Sequence, residues 1–193
     1  MKYALIGIFG LFLVVCIGGC SAYNGIIVKH ETCDEKWAEI ENMLKRRADL
    51  IPNLVETVKG FAKQEKEVFA TVSQARSQLL NAKGVKATSK AAGGFESAIS
   101  RLLMISERYP DLKSNQNFMR LQDELAGTEN RIAVARTRYN EAVKENNTSI
   151  KKFPGMLVAG MAGASKREYF EIENPKDLEN PKVNFSDAEV PNK

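Results

Sequence analysis

Apolar side chains recur at alternating steps of four and three along two stretches of this chain, and that spacing constrains its fold more than any other feature. Ile26, His30, Cys33, Trp37, Ile40, Leu44, Arg47, Ile51, Leu54, Val58 and Phe61 form the first stripe. Phe118, Leu121, Leu125, Thr128, Ile132, Ala135, Tyr139, Ala142 and Asn146 form the second. Such spacing puts each set on one face of a helix that packs lengthwise against neighbours at a shallow angle. Each stretch covers roughly 35 residues, so each helix would be about 50 Å long at the usual rise per residue. Pro52 falls inside the first stripe without changing its phase. That predicts one kinked helix rather than a fresh start capped by Asp49.

Two shorter amphipathic segments lie between the stripes. Glu65, Val68, Val72, Ala75 and Leu79 mark one, and Phe95, Ile99, Leu102, Ile105 and Tyr109 mark the other. The intervening NAKGVKATSKAAGG (81–94) is small, polar and glycine-rich, which reads as a surface loop. Tyr109-Pro110-Asp111 stops the third helix, and Asp111 or Ser114 can cap the fourth. The predicted fold class is all-α: an antiparallel up-and-down four-helix bundle with long first and fourth helices. The bundle would occupy residues 20–152 and a carboxy-terminal extension residues 153–193. Within the extension, Phe153-Pro154 ends the last helix. Gly155–Ala164 is apolar but too short to span a bilayer, so it packs on the bundle or touches a membrane surface. The proline-punctuated tail from Pro175 onward is expected to be extended or disordered.

Residues 1–19 are of a different kind. Lys2 precedes an uncharged apolar run from Tyr3 to Gly19, the pattern of a signal peptide or a membrane anchor. The run closes on Ile17-Gly18-Gly19-Cys20, which resembles the bacterial lipobox. In that pattern the chain is cut before the cysteine, and the cysteine carries a thioether-linked lipid, so Cys20 is the lipidation candidate. The run also reaches the short end of the roughly 17–25 residues of a membrane span, so an uncleaved anchor fits as well. In both cases Lys2 stays in the cytoplasm and the bulk of the chain is exported to the periplasmic or extracellular side. With Cys16 inside the run, only Cys33 remains as a thiol. It is either a small buried helix residue or a link between two copies.

Composition narrows the chemistry. Twenty-eight basic residues against 24 acidic ones give a net charge of +4, and the signs interleave without a basic block or aromatic–basic stripe, which argues against nucleic acid as a partner. A single histidine, His30, cannot supply the Glu-x-x-His pairs of a di-iron bundle or a zinc site. No metal or cofactor is expected. Gly-x-Ser-x-Gly, Ser-x-x-Lys and P-loop patterns are missing from the sequence, and Cys33 with His30 lacks a third residue and an oxyanion site. The chain therefore reads as a non-enzyme with no catalytic residues.

Arg47 is the exception on its stripe. If positions 24 and 147 lie opposite one another, Arg47 faces position 124, so Glu124 or Glu129 on the fourth helix becomes its partner. A guanidinium in a helix seam is costly unless matched by a carboxylate. The pair would fix helix register. Arg46 and Arg47 as a docking point for an acidic partner or lipid headgroup is the competing reading.

Tyr23-Asn24, RRADLIPNLVETVKG (Arg46–Gly60), YPDLKSNQNFMRLQDELAGTENRI (Tyr109–Ile132), RYNEAV and the closing FPG strongly resemble the LemA family, over about Tyr23 to Phe185. The resemblance implies an antiparallel helical bundle, membrane-associated through its amino terminus, in bacteria; it implies no activity. Cys33, the glycine-rich link and Ala164, where relatives tend to carry an aromatic residue, depart from the pattern. The function expected is a membrane-anchored, non-enzymatic scaffold or adaptor of the envelope. Its partners would be the membrane, an envelope protein and further copies of itself. The alternative is a carrier or sensor holding a small apolar ligand between the helices.

Overall fold

A computed structural model describes residues 2–171, and within the first 16 residues the side chains of some positions only. The prolines of the tail from Pro175 onward lie outside the described residues. The fold is all-helical, with no strand among the described residues. Helix α1 (Lys2–Phe61) runs 60 residues without interruption, about 90 Å at the usual helical rise. It is followed by α2 (Lys66–Asn81), α3 (Val85–Ile105), a single 3-10 turn (Ser106–Arg108) and the one-turn helix α4 (Pro110–Lys113). The chain then enters α5 (Gln116–Ser149) and the one-turn helix α6 (Gly155–Val158).

The two stripes meet. From Ile26 to Val58 the first is buried or half-buried at every position, and the second likewise from Phe118 to Asn146. Only Phe61 departs: it lies exposed, and Ala62 takes the buried place beside it. α5 lies antiparallel along α1, with Trp37 against Tyr139 (ring centroids 5.5 Å apart) and Arg138 reaching Glu39 at 3.4 Å. Helix α2 packs on α3, and both return to α1. At the far end Glu65 is mostly buried. It pairs with Arg108 at 3.0 Å and accepts from the Tyr109 hydroxyl.

Helix α1 continues through Pro52 rather than restarting at Asp49. Proline has no N–H to give the carbonyl four residues back, which leaves the fully buried Ala48 oxygen without its helical donor. Arg76 of α2 supplies the missing bond: its Nε donates to Ala48 O at 2.8 Å, and its Nη2 reaches Asp49 at 3.4 Å. The proline thus creates the acceptor by which α2 is attached.

Two local expectations change. The glycine-rich link is mostly helix, because α3 begins at Val85 and only Ala82–Gly84 connects it to α2. Ala87, Ala91 and Ala92 favour the helix, burial of Thr88, Ser89 and Ala92 stabilises it, and together these offset about 1 kcal/mol for each of Gly93 and Gly94. Gly84 makes the turn at φ +80, a conformation costly for other residues. The cap of α5 is Asn115, not Asp111 or Ser114; its side-chain oxygen accepts from the N–H groups of Asn117 and Phe118.

Replacing Arg76 by Leu strands the Ala48 carbonyl and is expected to cost about 1–3 kcal/mol in chemical denaturation. In a Pro52→Ala background, which restores an internal donor, the same replacement should cost clearly less. Equal losses in the two backgrounds would disprove the coupling.

Candidate functional site

The end of α5 and the chain beyond it form the part of the molecule where polar and charged groups converge. Phe153-Pro154-Gly155 turns the chain back tightly. A Cβ on Gly155 would lie 2.2 Å from the Ser149 carbonyl and 3.2 Å from Ile26, so only glycine fits between α5 and α1. After α6, an extended arm (residues 165–171) runs back along α5 towards the middle of the molecule. The segment following Phe153 is therefore not loose throughout.

Helical and extended geometry fix the arm's register. Asn147 pairs with the backbone of Arg167 through both side-chain atoms, accepting from its N–H at 2.8 Å and donating to its carbonyl at 2.9 Å. Asn140 does the same for Phe170, at 2.9 and 3.1 Å. Two helical turns rise about 10 Å, and three extended residues also advance about 10 Å, so the two spacings match. Asn146 donates to Ser165 O at 3.1 Å, the Tyr139 hydroxyl donates to Glu168 O at 2.9 Å, and Ser89 of α3 donates to Glu171 O. Phe170 is fully buried, 5.8 Å from Trp37, with the Arg136 guanidinium over its other side. Arg167 reaches α1, bonding Asp34 at 2.5 Å and His30 Nε2 at 2.9 Å. Since arginine only donates, Nε2 of His30 must accept.

Burial governs the titratable groups under the arm. It pushes the Tyr139 hydroxyl up to about 12 and raises the Cys33 thiol, which is 1% exposed. A buried thiol held protonated is a poor nucleophile, and it cannot join two copies without local opening. Among the described residues no three His, Cys, Asp or Glu side chains group as metal ligands.

Between the arm and the start of α3 lies an open cleft of about 820 Å³, with Lys83, Lys86 and Lys90 on one wall and Lys166, Glu168 and Glu171 on the other. A smaller cleft of about 430 Å³ adjoins it, lined by Lys151, Lys152, Lys166 and Tyr169. Both are surface features rich in lysine, unlike a dry slot between helix faces.

The residues singled out from sequence fall in separate places. Arg47 is 6% exposed; its Nη1 donates to Glu129 of α5 and lies 2.5 Å from Glu96 of α3. Glu124 is exposed and makes no ion pair among the described residues. It flanks the α5 stripe on the side opposite Glu129. The register also differs from the pairing of 24 with 147: the observed neighbours 37/139 and 39/138 set position 129, more than a turn beyond 124, opposite Arg47. Arg46 is exposed. Cys20 lies exposed within α1, far along the helix from Arg47. Glu96, Asn140, Asn147 and Phe170 did not emerge from the sequence. The asparagines had a signal, since asparagine is a poor interior helix residue and two of them two turns apart beside an apolar stripe imply partners.

These features define an all-helical protein with one very long amino-terminal helix, its main seam closed by a carboxy-terminal arm. The chain belongs to the LemA family: the family's sequence model matches residues 36–185, from the middle of α1 through and beyond the arm. It is also similar to magnetosome proteins MamQ 1 and MamQ 2 of Paramagnetospirillum magneticum, at 29% identity over 175 residues. MamQ of Magnetospirillum gryphiswaldense matches at 29% over 174 residues. Each alignment takes in 77% of this chain and 64% of the relative, so the chain spans less than two thirds of the length of these proteins.

The Arg47 cluster makes an asymmetric prediction. Glu96 and Glu129 have side chains 41% and 36% exposed and can rehydrate if Arg47 is lost, whereas Arg47 cannot. Urea denaturation should show a loss of about 3 kcal/mol for the double variant Glu96→Gln/Glu129→Gln. Arg47→Met should cost under about 1 kcal/mol. Equal losses would contradict a buried charge that depends on its carboxylates.

Proposed function

We propose that the chain is a non-enzymatic, membrane-anchored scaffold in which α1 serves both as anchor and as backbone of an up-and-down bundle. The observation that carries this reading is the continuity of α1. Tyr3, Ile6, Phe9, Leu13 and Ile17 are all exposed on its first part, and from Ile26 onward one face of the same unbroken helix is packed. An apolar surface of that size calls for a cover, and a bilayer supplies it. Counted over the described residues, no helix is long and apolar enough to cross a membrane, and within the run Tyr3–Gly19 only some side chains are described. A thioether-linked lipid on Cys20 and an uncleaved apolar anchor remain the two forms of attachment.

In this reading residues 1–19 are leader or anchor, and the body extends from residue 20 to the end of the arm, because Phe170 belongs to its core. The rod holds its lysine-lined cleft at a fixed height above the membrane, where confinement raises the effective concentration of a partner. The charge of the cleft suits an acidic segment of an envelope protein. The MamQ relatives are named for a place, the magnetosome, rather than a reaction, which accords with attachment and presentation.

Flotation with membranes from the producing bacterium tests the anchor. The full chain should float and resist a carbonate wash, and Leu13→Asp/Ile17→Asp should release it. Release by Cys20→Ala alone would identify the lipidated form. A chain that stays soluble without substitution would refute the proposal.

A further inference from the structure

The turn that follows α5 has a composition unlike the rest of the surface. From Asn147 to Arg167 the sequence contains Lys151, Lys152, Lys166 and Arg167 and no acidic residue. Within this segment Phe153 is 76% exposed, Met156 58%, Leu157 64% and Met161 73%. Gly155 and Ala159 are buried beneath them, so the large side chains are outside because the small ones occupy the inside. Four large apolar side chains within nine residues form a contiguous exposed patch of the kind that marks a contact surface. The surrounding lysines state the sign of what it contacts.

Position along α1 indicates the occupant. Gly155 sits against Ile26, and Ile26 lies two helical turns, about 10 Å, beyond Gly19, where the apolar run ends. The headgroup layer on each side of a bilayer is about 5–8 Å deep, and membrane helices tilt by about 20° on average. With that tilt Ile26 still lies about 9–10 Å from the hydrocarbon edge, so Gly155 stands just outside the headgroup layer if α1 leaves the bilayer at Gly19, a gap that the long Phe, Met and Leu side chains around it can bridge. A lipid on Cys20 puts the anchor about 9 Å along the helix from Ile26 and leaves the tilt to be set by the second contact. Large apolar side chains ringed by lysine and placed beside a membrane anchor have the makeup of an interfacial contact with anionic lipid.

We propose that the Phe153–Met161 turn is a second membrane contact, a foot that inserts its exposed Phe, Met and Leu side chains among anionic headgroups next to the anchor. The proposal rests on the anchoring reading of α1. One attachment leaves a rod free to tilt and rotate. A second attachment beside α1 fixes both angles, and with them the direction in which the lysine cleft faces. Lys151, Lys152 and Lys166 add attraction to an anionic surface.

The test uses the full chain reconstituted in vesicles of phosphatidylglycerol and phosphatidylcholine, with Trp37, half-buried and 18 residues beyond Gly19, kept in every variant as a common background. Leu157→Trp reports on the foot, and Val134→Trp, half exposed far along α5, serves as the reference. Flotation first establishes attachment. Brominated acyl chains should then quench the Leu157→Trp emission by at least about twofold and leave Val134→Trp unchanged. Lys151→Glu/Lys152→Glu/Lys166→Glu should remove most of that quenching while the chain still floats. A floating chain whose Leu157→Trp emission is quenched no more than the reference overturns the foot and leaves the anchor standing. A chain that does not float overturns both.

Discussion

Trp37, Tyr139 and Phe170 meet in one place, and the register of the longest seam in the molecule depends on that meeting. Trp37 and Tyr139 set α5 against α1, and Phe170 fills the remaining side of the indole. The burial that results raises the Tyr139 hydroxyl and leaves it one partner, the Glu168 carbonyl. Fixing Glu168 fixes the arm, and Asn140 and Asn147 then match the arm's extended rise to two turns of α5. The arm takes a place at the seam that a side chain of another helix occupies in a simpler bundle. Its hydrogen-bonding needs are met by asparagine side chains because a lone extended segment has no neighbouring strand.

Two arginines work in a related way further along α1. Arg76 completes the backbone of α1 where Pro52 leaves a carbonyl bare, and Arg47 joins carboxylates from α3 and α5. Each attaches a second helix to α1 through a polar defect placed in an apolar face. Such contacts have direction, unlike stacked leucines, and so they select one alignment among the several that a uniform stripe allows. The membrane-bound reading gives that alignment a use, because features on α3, on the arm and after α5 must keep constant positions relative to the end of α1.

The stripes were legible in the sequence because period and burial are the same information: Ile40, Leu54, Leu125 and Ile132 could only face inward. Register was not, since stripes alone slide by a turn at little cost: pairing 24 with 147 leaves both Glu124 and Glu129 as partners for Arg47, and Glu129 is the one that meets it. Glu96 was missed because the pairing considered α1 and the fourth long segment without the helix between them. The link before Phe95 misled for a simple reason. Its glycines and polar residues are loop formers, but its alanines and the cover supplied by the arm outweigh them. The arm itself has no periodicity to detect, and its strongest trace lay in the asparagines of its partner. The chemistry of the larger lysine-lined cleft had no trace at all, as it arises only when residues 83–90 and 166–171 are brought together.

Amide hydrogen exchange along the arm tests this account most directly. Arg167 and Phe170 donate their N–H groups to Asn147 and Asn140, whereas the N–H groups of Glu168 and Tyr169 have no such bond among the described residues. The account predicts an alternating pattern, with Arg167 and Phe170 exchanging as slowly as the buried turns of α5 around Tyr139 and Val143, and Glu168 and Tyr169 exchanging much faster. Uniformly fast exchange from Ser165 to Glu171 would show that the arm does not close the seam, and would contradict the account.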